Sequence, residues 1–295
     1  MACIVLLPLY KNYSALSAAE ILSLNQIFRT LQKHPIGFVV PKDLSMDAYK
    51  ECAKIYNCTI HIFEFQNNYF LNVSGYNKLL INPVFYKYFC NFDFVLIYQL
   101  DAFVFRDELD YWCNLKYDYI GAPWTGLHDY MGAPLIGVGN GGFSLRNVHS
   151  MLVLLKKLRM LEILQQYQSF NWKGMFPRLP KLIIKLMKPK KIESAFQKNY
   201  TFQEDVFWCK DAPEQLKDFK ANSFIINILG KIFLNMVFRI PSVEVAAQFS
   251  METRPSLLYQ KNNCVLPFGC HAWEKYEPLF WEPFISGKAE EKSHE

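Results

Sequence analysis

The stretch DFVLIYQLDAFVF, residues 93–105, is an apolar run interrupted by one acidic residue, Asp101. A carboxylate at the carboxyl end of a buried strand can hold a metal ion or a sugar. Mg²⁺ and Mn²⁺ prefer oxygen ligands, commonly one or two carboxylates together with phosphate oxygens and water. The residue two positions later, where a second acid would complete such a site, is Phe103. Asp101 is therefore either a single-carboxylate ligand or only the cap of a strand end.

Two further stretches could contribute to a sugar site. GVGNGGFSLR, residues 137–146, has four glycines in six residues, which allow positive φ and close backbone approach to a ligand. Asn140 within it can both donate and accept hydrogen bonds, as sugar hydroxyls require. FQEDVFWC, residues 202–209, carries adjacent acids, Glu204 and Asp205, where a helix is expected to begin. Either acid could serve as a general base, but capping the helix is the simpler role.

The stretch PFGCHAW, residues 267–273, contains His271 and Trp273. The histidine could ligate a metal or contact a phosphate, and the tryptophan could stack on a sugar or a base. A Cys-His doublet alone is more often packed core than a ligand.

The elements that must position these residues alternate between strand and helix. Strands are predicted at 3–10, 35–41, 58–65 and 92–100, and helices at 17–33, 46–56 and 75–89. A helix is also predicted at 148–167, and the part from 239 onward is predicted as strand and loop. This alternation predicts an α/β fold with a mostly parallel central sheet and helices on both faces. Ligands bind such sheets outside the carboxyl ends of the strands, at a switch in strand order, and Asp101 is placed there.

Composition narrows the class of protein. The 295 residues are 51% hydrophobic, enough to bury a sizeable core. The formal charge of +5 is concentrated in residues 173–198, which have a net charge of +7 against −2 elsewhere. This argues against a general nucleic-acid binder. The eight cysteines form no C-x-x-C pair, so reduced thiols are expected. No uncharged apolar run reaches the roughly 18 residues of a membrane span, and MACIVLLPLYKN is predicted to be a core strand and not a signal peptide.

Seven stretches together resemble one family, and they extend over roughly residues 3–284. They are YNKLLINPVFYKYF, LIYQLDAFVFRDELDYWC, YDYIGAPW, GNGGFSLR, EDVFW, EVAAQFSMET and LPFGCHAW. The family is an uncharacterised, largely bacterial one of unknown function that is related to GT-A nucleotide-sugar glycosyltransferases. The resemblance implies a GT-A-like (nucleotide-diphospho-sugar transferase) α/β fold with a basic helical insertion. It implies an enzyme that moves a hexose-type sugar from a nucleotide-sugar donor to a glycan or lipid-linked acceptor.

The resemblance also implies roles for single residues. Asp101 matches the first acid of the D-x-D motif and Phe103 replaces the second, which argues against a full two-carboxylate clamp for Mn²⁺ or Mg²⁺. His271 matches the late histidine of the metal or phosphate site, and Asp205, with Glu204 beside it, is the expected catalytic base. The donor and its nucleotide are expected to contact Pro8, Tyr10, Tyr76, Asn77, Gln99, Asp101, Asn140, Gly141 and Gly142. Trp124 and Trp273 are the expected stacking residues on the acceptor side.

One domain is predicted over residues 1–285, with a nucleotide-binding half at 1–105, an acceptor half at 106–285 and an insertion at about 150–240. Residues 286–295 are predicted to form a flexible tail. The basic segment 173–198 alternates apolar clusters with lysines and can lie on an anionic membrane surface, or it is a solvated surface insertion. A cytoplasmic protein, associated peripherally with the inner face of the membrane, is expected, acting in surface polysaccharide or lipopolysaccharide synthesis. The alternative is a catalytically inactive carbohydrate- or nucleotide-binding protein of the same fold.

Overall fold

The computed structural model describes residues 1–126, 135–168, 170, 172–189 and 191–286. The chain forms two compact units. Unit 1 comprises Met1–Leu71, Phe92–Asn147 and Ile240–Glu295, and unit 2 comprises Asn72–Asn91 and Val148–Arg239. The predicted domain limits stay a prediction. Of the predicted tail, all residues except Ser286 lie outside the described residues, as does Lys190 of the basic segment.

The described strands are short and all belong to unit 1. They are β1 Cys3–Pro8, β2 Ile36–Pro41, β3 Ile60–Phe65, β4 Phe94–Tyr98, β5 Ala102–Val104, β6 Tyr119–Ile120, β7 Pro123–Thr125, β8 Leu135–Val138, β9 Phe143–Asn147, β10 Ser250–Met251 and β11 Gly269–His271.

Helices occur in both units. They are α1 Ala18–Thr30, α2 Asp47–Ile55, α3 Val73–Leu80, α4 Pro83–Tyr88, α5 Leu109–Asn114, α6 Val148–Gln165, α7 Trp172–Met175, α8 Leu179–Met187, α9 Ala195–Lys198, α10 Glu204–Val206, α11 Ala212–Lys217, α12 Phe224–Phe233, α13 Val243–Phe249, α14 Pro255–Lys261 and α15 Pro278–Ile285. Short 3₁₀ turns lie at Tyr13–Ala15, Asn67–Tyr69 and Phe176–Arg178, and a π-helical turn at Phe207–Asp211.

The central sheet of unit 1 has the strand order β3-β2-β1-β4-β9-β6. Strands β1 to β4 run parallel, and β9 pairs antiparallel with both β4 and β6. Every residue of β1 and β4 is buried, which explains why both read as continuous apolar runs. The order reverses between β1 and β4, so the topological switch point lies there. The predicted α/β fold with a mostly parallel sheet is confirmed.

Helix α1 begins as its sequence predicts. The Ser17 side chain accepts from the Glu20 amide and the Glu20 side chain accepts from the Ser17 amide, which is a capping box. Two buried polar side chains of the same helix bind strand β5: Ser23 Oγ donates to Ala102 O at 2.5 Å and Gln26 Nε2 donates to Val104 O at 2.8 Å. These hydrogen bonds hold β5, which begins directly after Asp101, against α1.

A second, three-stranded sheet of unit 1 has the order β10-β11-β5. Strand β11 is antiparallel to β5 and parallel to β10. One face of this sheet belongs to a buried cluster that consists of Phe103, Phe105, Ala247, Met251, Leu258, Cys270, Trp281 and Ile285.

Unit 2 has its own apolar core. Long helix α6 contributes Met160, Leu161, Ile163 and Leu164, and the buried sides of α8 and α12 pack against them. Within the described ranges, no helix of the protein combines the length and the apolar character needed to cross a membrane.

Two predicted elements differ from the structure. The helix predicted at 75–89 is two helices, because Pro83 opens α4 and Asn82 caps it by accepting from the Val84 amide. The part after residue 239, predicted as strand and loop, contains three helices, α13, α14 and α15. Proline stands at the first position of α14 and of α15.

Candidate functional site

The register of the three-stranded sheet places His271 beside Asp101. His271 pairs with Ala102 across β11 and β5, so its ring lies next to the residue that precedes β5. Met251 pairs with Cys270 across β10 and β11, which places the following residue, Glu252, on the other side of the same ring.

The distances describe a compact cluster around the imidazole. His271 Nε2 lies 3.2 Å from Asp101 Oδ1 and 3.2 Å from Gln99 Oε1. His271 Nδ1 lies 3.0 Å from Glu252 Oε2. Nδ1 has no hydrogen-bond partner among the described residues, so the contact with Glu252 is an ion pair. His271 and Glu252 are almost enclosed, whereas the Asp101 side chain is 46% exposed.

The cluster shifts the pKa of both partners. Burial lowers the pKa of His271, but its contacts with Asp101 and Glu252 outweigh burial and raise the pKa from 6.5 to about 10. Burial likewise raises the pKa of Asp101, and the contact with His271 outweighs it, so the pKa lies below its ordinary value. At neutral pH the imidazole is therefore a cation between two carboxylates.

The glycine-rich stretch completes this cluster. The backbone carbonyl of Gly142 accepts a hydrogen bond from the backbone N–H of Gln99 at 2.8 Å. A Cβ on Gly142 would lie 2.0 Å from His271 Nε2, so only glycine allows the ring to approach this closely. The expected positive φ falls on Asn140, at 56°, and on none of the described glycines, which corrects that part of the prediction. Gly141 O accepts from Ser144 Oγ at 2.9 Å, so its carbonyl serves the loop's own structure.

The two predicted stacking residues lie in different surroundings. Trp124, on β7, packs over the glycine-rich stretch, because a Cβ on Gly139 would lie 2.1 Å from its ring. Trp273 packs against the buried cluster behind β5 and β11, and its indole N–H is buried without a hydrogen-bond partner.

The end of β1 flanks the switch point. Pro8 is buried and Tyr10 is 60% exposed. Lys11 Nζ lies 2.7 Å from Glu20 Oε1 and 5.7 Å from the centre of the Tyr10 ring. The Glu20 contact, with a smaller contribution from Asp101, raises the pKa of Lys11. A cation at the end of β1 therefore acts electrostatically on the acid at the end of β4.

The remaining predicted residues belong to unit 2. Tyr76 and Asn77 lie on α3, and Asn77 Nδ2 donates to Phe202 O at 3.5 Å, two residues before Glu204. Glu204 and Asp205 are both buried in the first turn of α10. This position fits the capping role that the sequence favours, and the role of Asp205 as a base stays a prediction.

One residue of the cluster was missed from the sequence. Glu252 lies inside EVAAQFSMET, which the resemblance includes, but it was not predicted as a site residue. Its signal is an acid directly after a short buried strand, the same signal that identified Asp101.

The cluster offers a divalent cation fewer protein ligands than a site with two carboxylates. Asp101 Oδ1 and Gln99 Oε1 supply oxygens, each 3.2 Å from His271 Nε2, and that nitrogen becomes a ligand only when the imidazolium releases its proton. Phe103 is fully buried and cannot reach the cluster. Over the described part of the chain, no group of three or more His, Cys, Asp or Glu side chains is arranged to hold a metal ion. A bound cation would rest on one carboxylate and on the substrate's own phosphates.

Comparison with solved structures finds glycosyltransferases. Mouse xyloside xylosyltransferase 1 is 9% identical, with 92% of this chain and 97% of that chain covered and a TM-score of 0.47. Streptococcus pneumoniae glycosyltransferase GlyE is 13% identical, with 99% and 64% covered and a TM-score of 0.41. Core-mannan synthase A from Aspergillus fumigatus, in an Mn/GDP form, is 8% identical, with 70% and 71% covered and a TM-score of 0.38. The chain thus spans about two thirds of the length of GlyE and of the mannan synthase.

These likenesses are too distant to identify a substrate or an activity. A comparison with curated proteins finds no match. A family model matches residues 59–271, which include Gln99, Asp101, the glycine-rich stretch, Glu252 and His271. The predicted membership of an uncharacterised family is confirmed: the chain belongs to the family described as "Protein of unknown function (DUF5672)".

Proposed function

We propose that this protein is a glycosyltransferase that moves a hexose-type sugar from a nucleotide-sugar donor to a glycan or lipid-linked acceptor, in surface polysaccharide or lipopolysaccharide synthesis. One observation carries the proposal: Asp101, Gln99, Gly142, Glu252 and His271 converge at the carboxyl end of β4, beside the switch point of the sheet. This is where open α/β sheets bind their ligands.

The chemistry follows from charge. Breaking the bond between sugar and diphosphate develops negative charge on the leaving phosphate, which positive groups must stabilise. The His271 imidazolium is the buried cation of the cluster, and Lys275 lies near enough to lower the pKa of Asp101. Lys11 is the third cation at this edge. A divalent Mn²⁺ or Mg²⁺ bound by Asp101, and by His271 once the imidazolium had released a proton, would supply this positive charge instead.

The remaining predicted residues receive roles in the same proposal. Pro8, Tyr10 and Gln99 contact the nucleotide, together with Tyr76 and Asn77, and Asn140, Gly141 and Gly142 contact the donor sugar. Asp205, with Glu204, takes the proton from the acceptor hydroxyl. Trp124 and Trp273 stack against the acceptor.

The second candidate function is a carbohydrate- or nucleotide-binding protein of the same fold without turnover. The ion pairs that hold both nitrogens of His271 favour it, because a ring already paired on both sides is less available for chemistry.

Peripheral attachment to an anionic membrane on the cytoplasmic face belongs to the same proposal. The segment that contacts the membrane in this proposal is 173–198, in which α8 exposes Ile184 and Met187 next to lysines.

The first experiment measures thermal stability with UDP, GDP, CDP and CMP, each with and without Mn²⁺. A ligand at about 100 times its dissociation constant adds about 2.7 kcal/mol to the free energy of unfolding. Stabilisation that needs Mn²⁺ and is lost in Asp101→Ala identifies a metal held by the single aspartate. Stabilisation without the metal indicates that His271, Lys11 and Lys275 neutralise the negative charge of the phosphate. Absence of stabilisation by every nucleotide contradicts the transferase and leaves only the carbohydrate-binding form of the second candidate.

Donor hydrolysis or transfer separates the two candidates. Activity that is lost in Asp101→Ala and in Asp205→Ala, but retained in the exposed control Asp47→Asn, supports the transferase. Nucleotide binding with no turnover of any donor supports the binding protein.

A further inference from the structure

Helix α12 presents an apolar stripe to solvent. Phe224, Ile228 and Ile232 recur every four residues, so they share one side of the helix, and they are 79%, 41% and 64% exposed. The opposite side carries Ile226 and Leu229 into the core of unit 2. The stripe therefore does not contribute to the packing of α12 against the core of unit 2.

A basic cavity borders the same helix. Its volume is about 910 Å³, it is open to solvent, and α12 contributes Asn227, Gly230 and Lys231 to its wall. Of the α12 residues in this wall, Lys231 lies nearest to the apolar stripe around the helix axis. The cavity and the stripe are therefore next to each other.

The charge of the cavity is strongly positive. Four lysines line it, Lys210, Lys217, Lys220 and Lys231, against one carboxylate, Glu214. All four are exposed. The acids Asp211 and Asp218 line an adjoining, smaller cavity of about 380 Å³, and Asp211 already accepts from Tyr200 at 2.7 Å.

We propose that this part of unit 2 binds the surface of an anionic phospholipid bilayer, with the α12 stripe inserted among the acyl chains and the lysine-lined cavity around a phosphate headgroup. A helix with an apolar side and bordering lysines lies in the membrane interface in this way. Helix α8 of the same unit, inside segment 173–198, also combines exposed apolar side chains, Ile184 and Met187, with lysines. Lysines beside apolar side chains suit a fluid anionic surface better than the fixed shape of one protein partner.

The proposal is independent of the transferase activity, because it uses none of the residues assigned to the donor or the acceptor. It extends the proposed membrane attachment from segment 173–198 to a second surface, on α12, and only variants of this second surface and its cavity are tested.

The test is flotation with vesicles of phosphatidylcholine alone and of phosphatidylcholine with phosphatidylglycerol. The wild type is expected to float with the anionic vesicles and not with the neutral ones. Ile228→Ser combined with Ile232→Ser is expected to weaken binding at least tenfold. Lys217→Gln, Lys220→Gln and Lys231→Gln together are expected to weaken it about 100-fold, since each lysine near an anionic surface contributes about a factor of five.

The matched control is Ile55→Ser, an exposed isoleucine on α2 of unit 1, which is expected to leave binding unchanged. Thermal unfolding of each variant verifies that it folds. Equal binding by the wild type and both variant sets overturns the proposal, and so does the absence of binding to anionic vesicles.

Two other occupants give distinguishable results. If glycerol phosphate stabilises the wild type but not the triple lysine variant, and no vesicle binds, the cavity takes a soluble phosphate and the lipid proposal is wrong. If the wild type sediments as a dimer that Ile228→Ser with Ile232→Ser dissociates, and no vesicle binds, the stripe contacts a second copy and the proposal is again wrong.

Discussion

His271 lies between two carboxylates that face opposite nitrogens of its ring, Asp101 Oδ1 at 3.2 Å from Nε2 and Glu252 Oε2 at 3.0 Å from Nδ1. Strand pairing produces this arrangement, because β11 pairs with β5 on one side and with β10 on the other. The two acids are 151 positions apart in the chain and meet only through the histidine. The cluster therefore depends on the fold of unit 1 and not on any local motif.

The first prediction concerns Glu252. Glu252→Gln removes the charge that faces Nδ1 but keeps the size of the side chain, so the pKa of His271 is expected to fall by at least one unit from about 10. NMR titration of the imidazole measures it. Glu51→Gln, which removes an exposed acid on α2, is the control and is expected to leave the value nearly unchanged. Equal pKa values in the wild type and Glu252→Gln would show that Asp101 alone holds the proton.

The second prediction concerns the pH dependence of stability in the presence of a chelator. The folded protein holds the His271 proton more tightly than the unfolded chain, whose pKa is near 6.5. The resulting stabilisation is fully present below pH 6.5 and is lost as the pH rises toward about 10. Urea unfolding across this range is expected to show a decline that is smaller in His271→Gln. A parallel decline in both proteins would contradict the raised pKa.

The main sheet could be predicted from the sequence, and so could the part of the site at Asp101. Strands β1 and β4 are buried on both sides and read as apolar runs, and Asp101 interrupts such a run. Glu252 was beyond reach, because its contact with His271 depends on the register between two strands of only two and three residues. Helices α14 and α15 were missed although proline at the first helical position is a start signal, since their apolar residues also suit strands.

The third prediction concerns Gly142. A Cβ here would lie 2.0 Å from His271 Nε2, so Gly142→Ala must displace the ring from Asp101. The free energy of unfolding is expected to fall by roughly 1–3 kcal/mol. Nucleotide stabilisation is expected to fall with it. Gly75→Ala, in helix α3, is the control, because alanine suits a helix better than glycine. Unfolding in urea measures both variants, and wild-type stability in Gly142→Ala would refute the close approach.

The fourth prediction concerns the altered D-x-D position. Phe103 is fully buried and packs against Phe105, with ring centres 5.4 Å apart, inside the cluster that contains Trp281. Phe103→Asp is therefore expected to destabilise the protein by about 4 kcal/mol or more and not to create a second metal ligand, because its carboxylate would enter an apolar core. Phe103→Leu, the volume-matched control, is expected to cost roughly 1 kcal/mol. Urea unfolding measures the two losses, and Mn²⁺-dependent stabilisation measures the metal. A Phe103→Asp protein that is as stable as the wild type and binds Mn²⁺ more tightly would show that this position can turn toward the site, and that the metal clamp was reduced by a single substitution.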